Sequence, residues 1–418
     1  MYFSLPILKK QQRPYTYQVV NIKSQKSKQF DVIVVGGGPS GLHIAGLLSE
    51  SGLNVALFDE RPEIGKDVVC SGVVSNEAFS RYDLPKESIV GRLKEAKLFS
   101  PSGICIPYCH PEEAAVVVDR HIFDGKLADV AIERGAVIRL NTKVASLAVN
   151  DEFIEARVRT QEGEINLRAE LAVIATGISF NLQTALGLGR PKMIIKGIQV
   201  EIRAETVDSL RVYFGSRFSI GFFGWAIPLF DGRTRVGLMT NGNAVEGLKN
   251  ILSKVNHCSD PCAEIENAKR RGIAFGSISK SYSERIIAVG EAAGQIKTTT
   301  GGGIYYGLVS AEIASETIKQ AFKKGKFDEG TLSEYEKTWE KSLGREIKFG
   351  QYFHRFYSRL DDDSIDALFH AANEDGLLSF IAERGKFDWH KEAVIRILRS
   401  PNLRRVLWKG LIRRIASW

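Results

Sequence analysis

Three glycines and a carboxylate near the N-terminus have the spacing that holds a polyphosphate. Gly36, Gly38 and Gly41 in VVGGGPSGLHIAG form a G-x-G-x-x-G pattern, and Asp59 follows 23 residues after Gly36. In such a pattern the first glycine permits a tight turn and the second lets backbone approach a pyrophosphate. The third allows close helix–strand packing, and the helix start adds partial positive charge. Asp59 stands where a carboxylate accepts hydrogen bonds from an adenosine ribose. A second cluster, GEAAGQIKTTTGGGIYYGL from Gly290 to Leu308, sets Glu291 and a run of glycines before a helix, against something polyanionic or flat. The five cysteines, Cys70, Cys105, Cys109, Cys258 and Cys262, are too few and too irregular for a disulfide framework. Their two C-x-x-x-C pairs depart from the usual zinc and iron–sulfur spacings, so no metal site is expected.

The elements that must position these groups are legible from pattern. Asp31 to Val35 reads as a buried parallel strand, Ser40 to Ser51 as a helix, and Val55 to Phe58 as the strand that delivers Asp59. Arg61 to Leu84 reads as a loop-rich segment. Short strands follow at Ala96 to Ser100, Ile104 to Tyr108 and Ala115 to Asp119, then a helix from Arg120 to about Arg134. Ala136 to Leu140, Lys143 to Val149, Glu155 to Thr160, Glu164 to Leu167 and Leu171 to Ile174 read as successive strands. Met193 to Glu205, Arg211 to Gly215 and Trp225 to Leu238 alternate like half-exposed antiparallel strands, with Asp231 and Gly232 as a hairpin turn. A helix over Ala244 to Val255 and strands at Ile273 to Ile278 and Arg285 to Val289 precede the helix Gly303 to Ala321, and beyond Phe327 the pattern is helical. The expected fold is α/β (α+β overall): a discontinuous nucleotide-binding domain (31–83, 111–183, 280–325), an inserted antiparallel sheet (84–110, 184–279) and a helical C-terminal region (326–418). The ligand belongs at the junction of the first two.

Composition excludes several classes. The chain has 418 residues, 44% apolar and 25% charged, an ordinary globular balance. No apolar run approaches the ~20 residues that cross a bilayer, and the opening MYFSLPILKK is the reverse of a secretory signal, which points to a cytoplasmic protein. Residues 1–30 carry +6 and residues 384–418 carry +8, so the body between them is −6 within a net +8. An acidic body with basic ends is no nucleic-acid-binding domain. Its ends suit an anionic surface, and the N-terminal extension, lacking any period, is expected to be disordered.

Four motifs in order, GGGPSG (Gly36 to Gly41), DRHIFD (Asp119 to Asp124), ATG (Ala175 to Gly177) and GEAAG with TTGGGI (Gly290 to Ile304), resemble the FAD-dependent oxidoreductases of the para-hydroxybenzoate hydroxylase type, with their Rossmann-like FAD-binding domain of the glutathione reductase kind. CSG at Cys70 to Gly72 and FGWAIP at Phe223 to Pro228 narrow the resemblance to the geranylgeranyl reductases, from about Asp31 to Leu360. Flavin halogenases carry a related W-x-W-x-I-P, but here the first aromatic is Phe223, and no clear lysine follows their pattern.

The resemblance implies FAD as cofactor. Gly36, Gly38, Ser40 and Gly41 then hold the pyrophosphate and Asp59 the adenosine ribose, with Pro39, Glu60 and Arg61 as further cofactor-binding candidates. Arg120 approaches the phosphates or the flavin, and Val144 meets adenine through its backbone. Ala175, Thr176, Gly177, Gly290 and Gly294 complete the site, with Glu291 toward the ribityl chain where the family has Asp. Thr300, Gly301, Gly302, Gly303 and Ile304 lie beside the isoalloxazine ring, and Thr298, where the family often has Pro, implies a less rigid loop. Cys70, Ser71 and Gly72 come near the flavin. Cys70, Gly301 and Gly302 are the candidate catalytic residues, Cys70 as a thiol or proton-relay group against a small buried filler. Phe223, Trp225, Pro228 and Tyr305 are the candidate substrate pocket.

The activity implied is hydride delivery from reduced FAD to carbon–carbon double bonds of an isoprenoid lipid. No second G-x-G-x-x-G unit serves NAD(P)H, so electrons come from a transient nicotinamide visit or a ferredoxin-like carrier protein. The rivals are a monooxygenase, epoxidase or halogenase-like enzyme on a lipid or aromatic substrate, a lycopene-cyclase-like isomerase, and a non-catalytic prenyl carrier. In the tail, Leu407, Leu411, Ile415 and Trp418 would share one helix face and Arg405, Lys409 and Arg413 another. That pattern suits peripheral contact with the inner face of a membrane, or an apolar face packed on the body.

Overall fold

The computed structural model describes residues 29–203, 207–255, 261–374, 385–401 and 404. Residues 1–28 and the expected amphipathic tail face and its basic counterpart, Arg405 to Trp418, lie outside the described residues. Gln29 and Phe30, assigned above to a disordered extension, instead begin the first strand.

That strand, Gln29–Val35, ends in four buried residues, as a strand covered on both faces must. It pairs in parallel with Val55–Phe58 on one side and the end of Gly163–Ile174 on the other, and Ile286–Ala288 and Val137–Arg139 extend the sheet at either flank. The expected strands at 164–167 and 171–174 are one 12-residue strand. Polar Arg168 and Glu170 interrupt the apolar run but not the alternation, since Leu167, Ala169 and Leu171 are all buried. Its first half pairs antiparallel with Ile154–Thr160 and its second half parallel with the first strand. Helices Pro39–Glu50, Arg120–Glu133 and Ile304–Lys324 share one core on this sheet, built around Leu42, Leu48, Phe123 and Leu308.

A second, seven-stranded sheet is ordered Lys269–Phe275, Met193–Arg203, Arg233–Thr240, Gly224–Pro228, Leu210–Tyr213, Glu95–Phe99, Cys105–Cys109. All its pairings are antiparallel except Leu210–Tyr213 with Glu95–Phe99, which run parallel. At its central hairpin the Asp231 carboxylate accepts from the Arg233 amide.

A three-stranded sheet joins Val73–Ser75, Ala115–Val118 and Ile89–Leu93. It ties chain on both sides of residue 84, where the sequence pattern suggested a domain boundary. The segment read as loop-rich also holds a helix, Asn76–Tyr82, because Ser75 Oγ caps it by accepting from the Ala78 amide. Helices Glu329–Trp339, Arg345–Tyr357, Asp362–Glu374 and Lys391–Arg399 make up the C-terminal region. Tyr335 locks it to the nucleotide sheet. Its hydroxyl donates to Ala288 O and accepts from Gln295 Nε2, both at 2.8 Å, and Gln295 Oε1 accepts from the Gly290 amide.

Candidate active site

A cavity of about 1020 Å³ runs from the Gly36–Ser40 loop, past Cys70, Arg120 and Gly301, to an apolar wall on the antiparallel sheet. At the nucleotide end, Gly36 turns with φ +109°, and a Cβ there would fall 2.4 Å from Ala175 O. A Cβ on Gly41 would fall 2.0 Å from Gly36 O, so helix and strand touch through bare backbone. Gly38 differs: nothing of the protein lies within 4 Å of its Cβ position, and it opens onto the cavity. No side chain caps the helix behind it, which starts with Pro39, so its first amides are left for an anion.

Asp59 is buried, and its carboxylate accepts from the Gly37 amide at 2.6 Å and three times from Arg61, at 2.8–2.9 Å. Burial pushes its pKa up, but the Arg61 guanidinium and the Gly37 amide overcome that and hold it below the usual carboxylate range. A ribose hydroxyl would therefore share Asp59 with Arg61. Glu60, also on the cavity, pairs with Lys143 at 2.8 Å, and Val144 follows on the adjoining wall.

At the centre, Asp119 caps the helix Arg120–Glu133 by accepting from the amides of His121 and Ile122. Arg120 grips Asp124, one turn on, through Nε at 2.8 Å and Nη2 at 2.7 Å. Asp124 is wholly buried. Burial disfavours the Arg120 charge, yet the paired Asp124 carboxylate holds it firmly protonated. Cys70 is half-buried, takes the Gly72 amide on Sγ at 3.4 Å, and has its carbonyl held by Gln199 Nε2 at 3.0 Å. Gly72 itself packs on Val118 O and Arg235 rather than on the cavity.

Glu291 reaches out of its 3-10 turn to the antiparallel sheet, where it bonds Arg271 and the Ala274 amide. The methylene that Glu adds over Asp is used for this crossing. Thr298 anchors the next loop rather than loosening it: its hydroxyl donates to Ile347 O at 2.7 Å in full burial. The loop closes through Gly301 N to Lys297 O at 2.7 Å and Lys297 N to Gly302 O at 2.8 Å. Gly301 has φ +73° and sits so close to the sheet that a Cβ would fall 2.6 Å from Met239 Sδ. The helix Ile304–Lys324 starts at Gly303 without a side-chain cap, leaving a second set of amides at the cavity.

The far wall follows from strand register. Gln199, Gly237 and Trp225 stand directly opposite one another on three adjacent strands, and the indole lies across Gly237, 2.7 Å from where a Cβ would be. Phe223, Val212, Phe214 and Ile227 continue this wall. The Trp225 indole N–H and Gln199 Oε1 are buried without partners. Tyr305 does not join them. It is turned into the core, where its hydroxyl donates to Glu77 at 2.7 Å and its ring meets Tyr82 and Trp389. Pro228 ends its strand away from the cavity. Gly290 and Gly294 act at one remove: the first lets Ser40 approach, and the second packs on Gly276 O. Among the described residues, no group of three His, Cys, Asp or Glu could hold a metal ion.

The sequence reading missed the contribution of the C-terminal region. His354 lies between the rings of Phe222 (4.3 Å) and Phe275 (4.6 Å), lines the cavity, and has Nε2 buried without a partner. Burial lowers its pKa to about 4. Tyr357, Phe387 and His390 also line the cavity. No local pattern marks them.

Residues 92–387 match the family model described as tryptophan halogenase, and residues 34–83 match the NAD(P)-binding Rossmann-like domain. The chain belongs to the first of these families. Its sequence relatives include digeranylgeranylglycerophospholipid reductases. Digeranylgeranylglycerophospholipid reductase 2 of Methanothermobacter thermautotrophicus is 28% identical over 390 residues, covering 91% of this chain and 99% of the relative. The digeranylgeranylglycerophospholipid reductase of Methanosarcina acetivorans is 29% identical over 362 residues, 81% of this chain and 87% of the relative. In fold it is similar to a geranylgeranyl bacteriochlorophyll reductase-like protein of Thermoplasma acidophilum, with TM-score 0.78, 22% identity and coverage of 92% and 100%. It also resembles halogenase PltM in complex with FAD, with TM-score 0.66, 14% identity and coverage of 94% and 93%.

The fold is thus a Rossmann-like FAD-binding flavoprotein fold, and this chain's residues fit that cofactor. The open face of Gly38, two uncapped helix starts on one cavity, and a carboxylate at the end of the second strand are the donor set that a pyrophosphate, a ribose and a flat anionic ring require.

Proposed function

We propose that this protein saturates carbon–carbon double bonds in the prenyl chains of an isoprenoid lipid. The observation that carries the reading is the continuity of the cavity: one space joins the Gly36–Ser40 loop to the wall of Val212, Phe214, Phe223, Trp225 and Ile227. An unactivated alkene offers no charged handle, so apolar burial must position it, and this wall supplies the surface.

FAD, when bound and reduced, supplies hydride. Gly38 and the amides after Pro39 would hold its pyrophosphate, with Asp59 and Arg61 at the ribose. The amides of Gly302 to Ile304, at the start of a long helix, would favour negative charge on the ring. Arg120, fixed by Asp124, keeps a positive charge next to Cys70 in the middle of the cavity. The Trp225 indole N–H and Gln199 Oε1 are buried without partners in this otherwise apolar wall, and a protein acid or water would give the proton that completes saturation. Electrons would arrive from a visiting nicotinamide or a carrier protein, since residues 34–83 form the one nucleotide-binding unit matched. Among the described residues no helix is long and apolar enough to cross a membrane.

The test is product mass. FAD-loaded protein, reduced without oxygen and given a geranylgeranyl lipid, is expected to add two hydrogens per double bond. Added oxygen or halogen under aerobic turnover, or rearrangement without mass change, refutes the reading in favour of an oxygenase, halogenase or cyclase. Protein that binds no FAD refutes it outright.

A further inference from the structure

The loop that flanks the proposed ring site carries a buried cation whose partner comes from the C-terminal region, 91 residues on. Lys297 Nζ donates to Asp388 Oδ1 at 2.6 Å, with side chains 7% and 1% exposed. It also lies 3.5 Å from Phe387 O and 4.4 Å from the Phe387 ring centroid. The other Asp388 oxygen is buried with no partner, so this carboxylate serves Lys297 alone.

The lysine stem runs along Gly302. A Cβ on Gly302 would fall 2.7 Å from Lys297 Cε and 3.2 Å from Nζ, and the Lys297 backbone closes both hydrogen bonds of the loop. Lys297, Thr299, Phe387 and His390 line the same cavity as Gly301 and Gly302. The His390 ring adds no charge. Its Nε2 donates to Phe387 O at 2.8 Å and its Nδ1 accepts from Thr299, while burial and the nearby ammonium lower its pKa to about 4. The segment is held in place by the Tyr306 hydroxyl on Asp388 O (2.9 Å) and by Glu346, which accepts from the amides of His390 and Lys391.

A buried ion pair is a weak source of stability compared with an apolar pair of the same volume. Its position against the ring-flanking glycines suits electrostatics better. We propose that Lys297 sets the charge at this loop, with Asp388 as its positioning residue, and that the pair tunes how tightly reduced flavin is held relative to oxidised flavin. The proposal rests on the reading that the ring lies beside Thr300 to Gly303.

The experiment is the midpoint potential of the FAD-loaded full-length chain, by anaerobic equilibration with a reference dye, in wild type, Lys297→Met, Lys297→Arg and Asp388→Asn. Lys297→Met is expected to weaken reduced relative to oxidised FAD at least tenfold, a fall of about 30 mV for a two-electron couple. Asp388→Asn removes the compensating anion and is expected to shift the potential the opposite way. Lys297→Arg should stay within threefold of wild type. A merely structural pair would shift both charge-removing variants in the same direction, with lowered Tm; that result, or unchanged potentials, overturns the proposal. If Lys297→Met does not fold, Asp388→Asn decides: a rise supports the proposal and a fall or no change refutes it. Wild type without FAD would instead sink the functional reading beneath it.

Discussion

Gly38 and Gly41 belong to one motif yet should fail in different ways when replaced by alanine. At Gly41 the new methyl would lie 2.0 Å from Gly36 O and 3.1 Å from Ala175 Cβ, with no flexible side chain to give way. Overpacking typically costs about 1–3 kcal/mol, and with only backbone and a Cβ to yield here Gly41→Ala should lower the stability of the FAD-free chain by about 3 kcal/mol, the top of that range. Gly38 has φ −87° and ψ 176°, extended backbone that alanine adopts freely, and its Cβ would meet nothing within 4 Å. The folding cost of Gly38→Ala is the poorer helix N-cap, about 1 kcal/mol or less. The same methyl, however, occupies the open face through which a pyrophosphate must approach. Losing even one charge-assisted amide contact, worth about 1.5–3 kcal/mol, predicts roughly 10- to 100-fold weaker FAD. Urea unfolding of the FAD-free proteins reads the first effect, and titration by quenching of flavin fluorescence reads the second. Gly38→Ala protein that binds FAD like wild type, or that is as unstable as Gly41→Ala, would refute the assignment of this loop.

Arg120→Ala would strand the wholly buried Asp124 carboxylate, a loss of about 3–5 kcal/mol; Arg120→Ala with Asp124→Asn should recover part of it in the same urea assay. His354 predicts acid sensitivity. Its folded pKa is about 4 against 6.5 for the free ring, so the unfolded chain takes the proton first. Stability should be unaffected well above pH 6.5, fall by roughly 3 kcal/mol between pH 6.5 and 4, and level off below. His43 and His390, also lowered to about 4, add to the fall, so the check is the shallower pH dependence of His354→Gln. An unchanged slope would show that the ring is not buried neutral.

The nucleotide half of the site was legible because its determinants are local. A strand, a glycine turn, a helix and a second strand lie within Asp31 to Asp59, and backbone geometry alone requires those glycines. In the segment from Gly290 to Ile304 the glycine-rich helix start was legible for the same reason, whereas the partners of Glu291 and Thr298 were not. The helix Asn76–Tyr82 was missed because a single hydroxyl, that of Ser75, starts it inside a stretch without apolar periodicity. Tyr305 was misplaced because helical spacing does not say which face meets the core. On this helix that residue points to Glu77 and Trp389.

Sequence alone determined the backbone cradle and the existence of an apolar sheet, since both follow from patterns within about 30 residues. Only the tertiary structure decided what surrounds the reacting end. The partner of Lys297 lies 91 residues away, Glu291 reaches from its 3-10 turn to Arg271 on the antiparallel sheet, and His354 enters from a helix with no motif of its own. The physical reason is that an ion pair or a ring stack depends on proximity in space, and here proximity is set by how the helical region docks on the sheets.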